Sequence, residues 1–369
     1  METMHPVVLH GAAGWQPDRL PRDEFEARMG PLRQAMAAHG WAGVLVYGDA
    51  VRYQPLAYLT QFVPRLEWAA ALVPARGPST LWVHTGPRDI PAARSETWVE
   101  DVRTTATWLS DLRAWADALT GTSPASLAIA GRDQMRPTLV EALVTALANM
   151  PLLSADTWFD QVQQRLRPRE ARLLREATAL LQAAIVEAEA AFAAGSSARD
   201  VLLTAEGAAR EAGVHDVRLL WSADGHTWIP WDGRAEAHSE HLLCYEAVEW
   251  CGYWVGRFFT LTPPGDPVAA LVRAQTRDLA RAVTPGLGPD ALWPTDLAPP
   301  TVPHWFRARA ALRLGLGHPE PLRCNQPFTP ESAYAIHWGI WREGRAWIAS
   351  EIVWLESSGP HLWTEETRP

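Results

Sequence analysis

Between residues 24 and 38 apolar side chains return every third or fourth position, as on one buried helix face. The run that follows, GWAGVLVY from Gly40 to Tyr47, is continuously apolar and reads as a strand covered on both faces. A second apolar run, Trp68 to Val73, stops at Pro74-Ala75-Arg76-Gly77-Pro78, after which Ser79 to His84 resumes as a strand. Helical patterns around 106 to 119 and 136 to 149 then alternate with strands, the order of an α/β layer domain.

The pattern changes near residue 160. Leu173, Leu174, Ala177, Leu180, Leu181, Ala184, Ile185, Ala188 and Phe192 recur at spacings of three and four and predict a long helix from Pro168 to Ala194. Gly195-Ser196-Ser197 ends it, and Ala198 to Glu211 supplies another helix. LLCYEAVEW and YWVGRFFTL, joined through Cys251-Gly252, predict a β-hairpin over Leu242 to Leu261. A helix from Pro267 to Val283, a Pro-rich connection from Thr284 to Pro303, and strands around Tyr334 to Trp341 and Trp347 to Leu355 complete a second, α+β domain.

Composition narrows the chemistry. With 369 residues, 47% of them hydrophobic, the chain can bury two cores. A net charge of -9 argues against a broad nucleic-acid surface, which needs a basic face. All 33 basic residues are Arg; Schiff-base chemistry, a pyridoxal-phosphate anchor and a phosphate-loop Lys are therefore excluded. Cys244, Cys251 and Cys324 form no CxxC pair, and neither an export leader nor a membrane-spanning apolar run is visible, so a soluble cytoplasmic protein is expected. The two cysteines in the hairpin read as small hydrophobes. The 20 Trp point to core and contact surfaces. GxSxG, HExxH and GxGxxG patterns are absent, and His238 and His241 of HSEH are expected on the surface, in a polar turn.

Several segments resemble one family in the right order. They are VYGDAVRYQPLAYLTQF (46 to 62), the junction RLRPREARLLREATALLQAAIVEAEAAFAAG (165 to 195) with Glu170, Arg175 and Ala177, the hairpin LLCYEAVEWCGYWVGRFFTL (242 to 261), GLGHPEP (315 to 321), and FTPESAYAIHWGIW (328 to 341). Together they resemble the creatinase, prolidase and aminopeptidase P family from about residue 25 to the end. The resemblance implies a small α/β domain over 1–160, an α+β pita-bread domain over 161–369, and a homodimer.

Peptidases of that family hold two divalent metals with two Asp, one His and two Glu, and the metals activate a water. The resemblance places Glu246 at the first Asp position and Gly256 at the second. It places Ala311 or Leu314 at the His, His337 at the first Glu, and Ser350 or, after a one-residue slip, Glu351 at the last. Most hard oxygen ligands are thus missing, Arg257 would repel a cation, and no bound metal or other cofactor is expected. Glu246, His337 and Glu351 are expected to converge as the remnant of the catalytic pocket, with His226, His318 and Arg257 as substrate-side residues. The resulting expectation is a non-catalytic pseudo-peptidase that binds a small molecule or a protein, with no nucleic-acid or membrane partner. A diverged Xaa-Pro dipeptidase or aminopeptidase and a metal-independent, creatinase-like hydrolase are the alternatives.

Overall fold

The computed structural model describes residues 14–64, 67–119, 125–225, 227–234, 240–293, 309–323 and 326–366. The chain divides into two compact units, Met1–Gln163 and Gln164–Pro369.

In the first unit a helix, α1 (Arg22–His39), leads through Gly40 into β1 (Trp41–Asp49). Gly40 has φ 70° and donates its N–H to Met36 O, closing the helix where a side chain would be strained. A second helix, α2 (Gln54–Thr60), precedes the hairpin β2 (Trp68–Pro74) and β3 (Thr80–Val83), and β4 (Asp101–Thr104) follows. The unit continues with α3 (Trp108–Asp117), β5 (Ser126–Ala130), α4 (Pro137–Ala146) and β6 (Leu152–Ser154). The strands form one mixed sheet in the order β4-β3-β2-β1-β5-β6. Central β1 is buried along most of its length, and its Leu45 and Tyr47 share a core with Trp108, Leu112 and Leu143 of the helices. That covering is why the strand reads as apolar without alternation.

The second unit opens with α5 (Pro168–Ala193), started by a capping box in which Glu170 accepts the Arg167 N–H at 2.9 Å. Leu173, Leu174, Ala177, Leu181, Ala184, Ile185 and Ala188 form its buried stripe. The next helix, α6 (Ala198–Glu211), is capped by Ser197, whose side chain accepts from the Asp200 N–H at 3.2 Å. There follow β7 (Asp216–Ser222), β8 (Ile229–Pro230), and the hairpin β9 (Leu242–Trp250) and β10 (Tyr253–Leu261), giving an antiparallel sheet in the order β10-β9-β7-β8. The hairpin turns at Cys251 (φ 52°) and Gly252 (φ 88°), two left-handed residues as a type I′ turn requires. Cys244 and Cys251 are buried there as small hydrophobes, and Cys324 lies outside the described residues.

The last sheet runs β12-β11-β13-β14-β15: β11 (Arg309–Leu314), β12 (Glu320–Pro321), β13 (Ser332–Arg342), β14 (Arg345–Glu356) and β15 (Gly359–Leu362). The helix before it, α7 (Pro267–Arg281), packs on Tyr334, Ile336, Trp338, Trp347 and Ala349. Since β15 pairs only with Val353 to Glu356, the first part of β14 leaves an open edge, and β10 is the open edge of its own sheet. Side-chain hydroxyls join the two. Thr260 donates to Ile348 O (2.9 Å) and accepts the Ile348 N–H (2.8 Å), while Ser350 Oγ accepts the Phe258 N–H (2.7 Å). Two edges that would otherwise present unpaired backbone groups are thereby satisfied.

Candidate functional site

Strand alternation assigns each candidate to a face of its sheet. In the β9/β10 hairpin Arg257 reaches Gln182 on α5, and its register partner is Glu246; both belong to the helix-covered face. Tyr245, the partner of Phe258, belongs to the other face together with Gly256. On β13 and β14, Ile336 and Ala349 join the α7 core, so Glu351 is on the helix side. His337 and Ser350, paired with each other, face the opposite way. His337, Phe258 and Tyr245 form a continuous row of rings there, His337 edge-to-face with Phe258 at 5.0 Å and Phe258 tilted against Tyr245 at 4.6 Å between centroids.

The expected convergence of Glu246, His337 and Glu351 therefore does not occur: both carboxylates lie on the face that His337 turns away from. The residue beside Gly256 on the His337 face is Tyr245, one position before the expected Glu246. Its hydroxyl occupies the space a Cβ at position 256 would need, and Ala247 Cβ would lie 3.0 Å from that Cβ. Glycine is thus required at 256 while tyrosine stands at 245. Replacing Gly256 by Ala should destabilise the fold by roughly 1–3 kcal/mol through overpacking. In chemical denaturation the Tyr245→Ala, Gly256→Ala pair should cost less than the sum of its parts. Strict additivity would show that the two positions do not compete for space.

On this face Tyr245 and His337 are held uncharged, and the permanent charge beside them is the Arg218 guanidinium. Burial, opposed by nearby Arg218, lifts the Tyr245 phenol to about 12. Burial, reinforced by the Arg257 charge, depresses His337 to about 3. Its Nδ1 lies 2.6 Å from Ser350 Oγ, and its Nε2 has no hydrogen-bond partner among the described residues. Of the two positions proposed for the missing His ligand, Leu314 shares the face of His337, whereas Ala311 is packed in the α7 core.

The carboxylates have other surroundings. Glu246 is fully buried, both its oxygens are unpartnered among the described residues, and burial plus the charge of Glu206 raises it to about 8. Glu351 lies 3.4 Å from Arg277 Nε and accepts a hydrogen bond from Thr364. Arg257 donates from Nε (3.1 Å) and Nη2 (2.9 Å) to Ser350 O, and from Nη1 to Gln182. His318 is half-buried beside Trp254, ring centroids 5.0 Å apart, and Trp254 also carries Arg218 on its face at 4.7 Å. His226 and His238 lie outside the described residues. His241, expected at the surface, is instead 5% exposed, because its Nε2 meets Ala346 O at 2.7 Å and its ring packs edge-on against Trp347.

A two-metal centre needs several hard oxygen donors on one side of the sheets. Tyr245, Gly256, His337 and Ser350 offer a phenol, no side chain, an imidazole engaged at Nδ1 and a hydroxyl engaged by backbone, a set that does not fit two divalent ions. No group of three or more His, Cys, Asp or Glu is placed to hold a metal among the described residues. No helix of the described residues is long and apolar enough to cross a membrane.

No family model matches the sequence, and no curated protein is similar to it in sequence. Solved structures are similar in fold. A Xaa-Pro dipeptidase from Bacillus anthracis aligns over 94% of this chain and 98% of its own, with a TM-score of 0.70 and 15% identity. An X-Pro aminopeptidase from Thermotoga maritima aligns over 90% and 96%, with a TM-score of 0.69 and 15% identity. The dipeptidase PepE from Mycobacterium ulcerans aligns over 92% and 95%, with a TM-score of 0.66 and 21% identity. The chain has the α+β pita-bread fold of the prolidases and aminopeptidases P.

Proposed function

We propose that this chain is a pseudo-peptidase: a protein with the fold of the Xaa-Pro peptidases that binds a small molecule or a protein without hydrolysing it. One observation supports the reading above others. On the face shared by His337 and Ser350, Tyr245 holds its hydroxyl in the space a side chain at 256 would need, and none of these four positions carries a carboxylate. A ligand on this face would meet rings, the hydroxyls of Tyr245 and Ser350 and the guanidinium of Arg218, with Trp254 and His318 beside it.

The 2.6 Å approach of Ser350 Oγ to His337 Nδ1 favours a second reading, metal-free hydrolysis with His337 as base. Its weakness is thermodynamic. An imidazole depressed to about 3 is a poor proton acceptor at neutral pH, and Ser350 Oγ already accepts the Phe258 N–H.

The test is metal analysis of the purified protein after exposure to Mn²⁺ and Co²⁺, combined with hydrolysis assays on Xaa-Pro dipeptides and creatine. We expect less than one tightly held ion per chain and no turnover above the buffer rate. Turnover that depends on added metal would establish a diverged peptidase. Turnover in chelator that disappears in His337→Ala would establish the metal-free hydrolase. We further propose a homodimer, and light scattering that returns the mass of a single chain would refute that.

A further inference from the structure

Along the β10/β14 seam, on the side covered by α5 and α7, lies a cavity of about 310 Å³. Its chemistry is two-sided. Ile185, Val186, Val272, Phe259 and Trp347 give it apolar walls, while Arg257, Arg273 and Arg277 bring three guanidinium groups against two carboxylates, Glu189 and Glu351. Glu351 is already engaged, by Arg277 Nε at 3.4 Å and by the Thr364 hydroxyl. Arg257 donates to Ser350 O and Gln182. Arg273, one turn before Arg277 on α7, is exposed and forms no ion pair among the described residues. Glu351 already balances Arg277, so Arg273 is a cation of this cleft without a counter-charge among the described residues, and an anion that reaches it also comes within reach of Arg277 one turn on.

We propose that this cleft binds a small carboxylic acid with an apolar arm. The carboxylate bridges Arg273 and Arg277, and the arm lies along Val186, Val272 and Trp347. A cavity of about 310 Å³ is at the lower end of ligand pockets, roughly 300–1,000 Å³, and suits one such molecule rather than a folded partner. Phe258 and Ser350 border the cavity at the seam, but the proposed carboxylate contacts, Arg273 and Arg277, belong to α7 and do not depend on whether the protein hydrolyses anything.

The full-length protein is to be titrated calorimetrically with 4-phenylbutyrate, with its uncharged amide, and with inorganic phosphate. We expect saturable binding of the acid, binding of the amide weaker by about ten-fold or more, and weaker binding of phosphate, which has the charge without the arm. Arg273→Glu, an exposed substitution, should weaken the acid by at least about ten-fold with an unchanged melting temperature. Absence of saturable binding, equal affinity for acid and amide, phosphate binding as tightly as the acid, or full binding by Arg273→Glu would each overturn the proposal.

Discussion

Glu246→Gln should make the protein more stable at pH 8 than the wild type, by on the order of 4 kcal/mol, and by little at pH 4.5. The expectation rests on a carboxyl that is fully buried, has neither oxygen partnered among the described residues, and is raised to about 8 by burial and by the nearby Glu206. Its register partner Arg257 does not neutralise it, since that guanidinium is engaged with Gln182 and Ser350 O. The sign follows from proton binding. Between the ordinary value of 4.5 and the raised value of about 8, the unfolded chain releases the Glu246 proton while the native protein keeps it. Stability is therefore complete below about 4.5 and declines as pH rises, until the native carboxyl also ionises near 8. Glutamine keeps the shape and cannot ionise. Urea denaturation of both proteins at several pH values between 4.5 and 8 measures the difference, and parallel profiles would show that Glu246 is ionised in the native state.

The same residue marks where the sequence stops being legible. The helices, the hairpin with its Cys251-Gly252 turn, and the strands of the tail can be read from spacing, because α5 and α6 bury one stripe each and glycine or serine punctuates their ends. The face on which a strand residue lies cannot be read in LLCYEAVEW or WIASEIVWL, where every residue but Tyr245 and Trp354 is buried and no polar alternation survives. A one-residue slip then exchanges Tyr245 for Glu246 and Ser350 for Glu351, and moves two carboxylates from the His337 face to the helix side. Tyr245 was detectable in principle: a bulky side chain beside a glycine on the neighbouring strand, in the same hairpin, is a packing complement. His241 escaped for another reason. Its polar neighbours in HSEH suggest solvent, but the following strand carries it against Ala346 O, a partner about a hundred residues away that no local pattern announces.

His337 should set the acid limit of stability as Glu246 sets the alkaline one. An ordinary histidine in the unfolded chain takes a proton near 6.5, whereas His337, buried and close to the charge of Arg257, does not do so until about 3. As pH falls below about 6.5 the unfolded chain therefore binds a proton that the native protein refuses, and stability is lost until the native ring also protonates near 3. At pH 4 the loss from this residue is on the order of 3 kcal/mol. His241, also lowered by burial, acts in the same direction. Between about 4.5 and 6.5 the slopes of Glu246 and His337 oppose each other, so these two residues predict a plateau there and a decline on both sides. His337→Gln should flatten the acid limb while losing about 1 kcal/mol at neutral pH, the contribution of its hydrogen bond to Ser350. In the native protein, the His337 ring proton followed by NMR should not shift between pH 7 and 4. A midpoint near 6.5 would mean that the ring is solvated and accessible, and that the face it shares with Tyr245 and Ser350 is open enough for proton transfer.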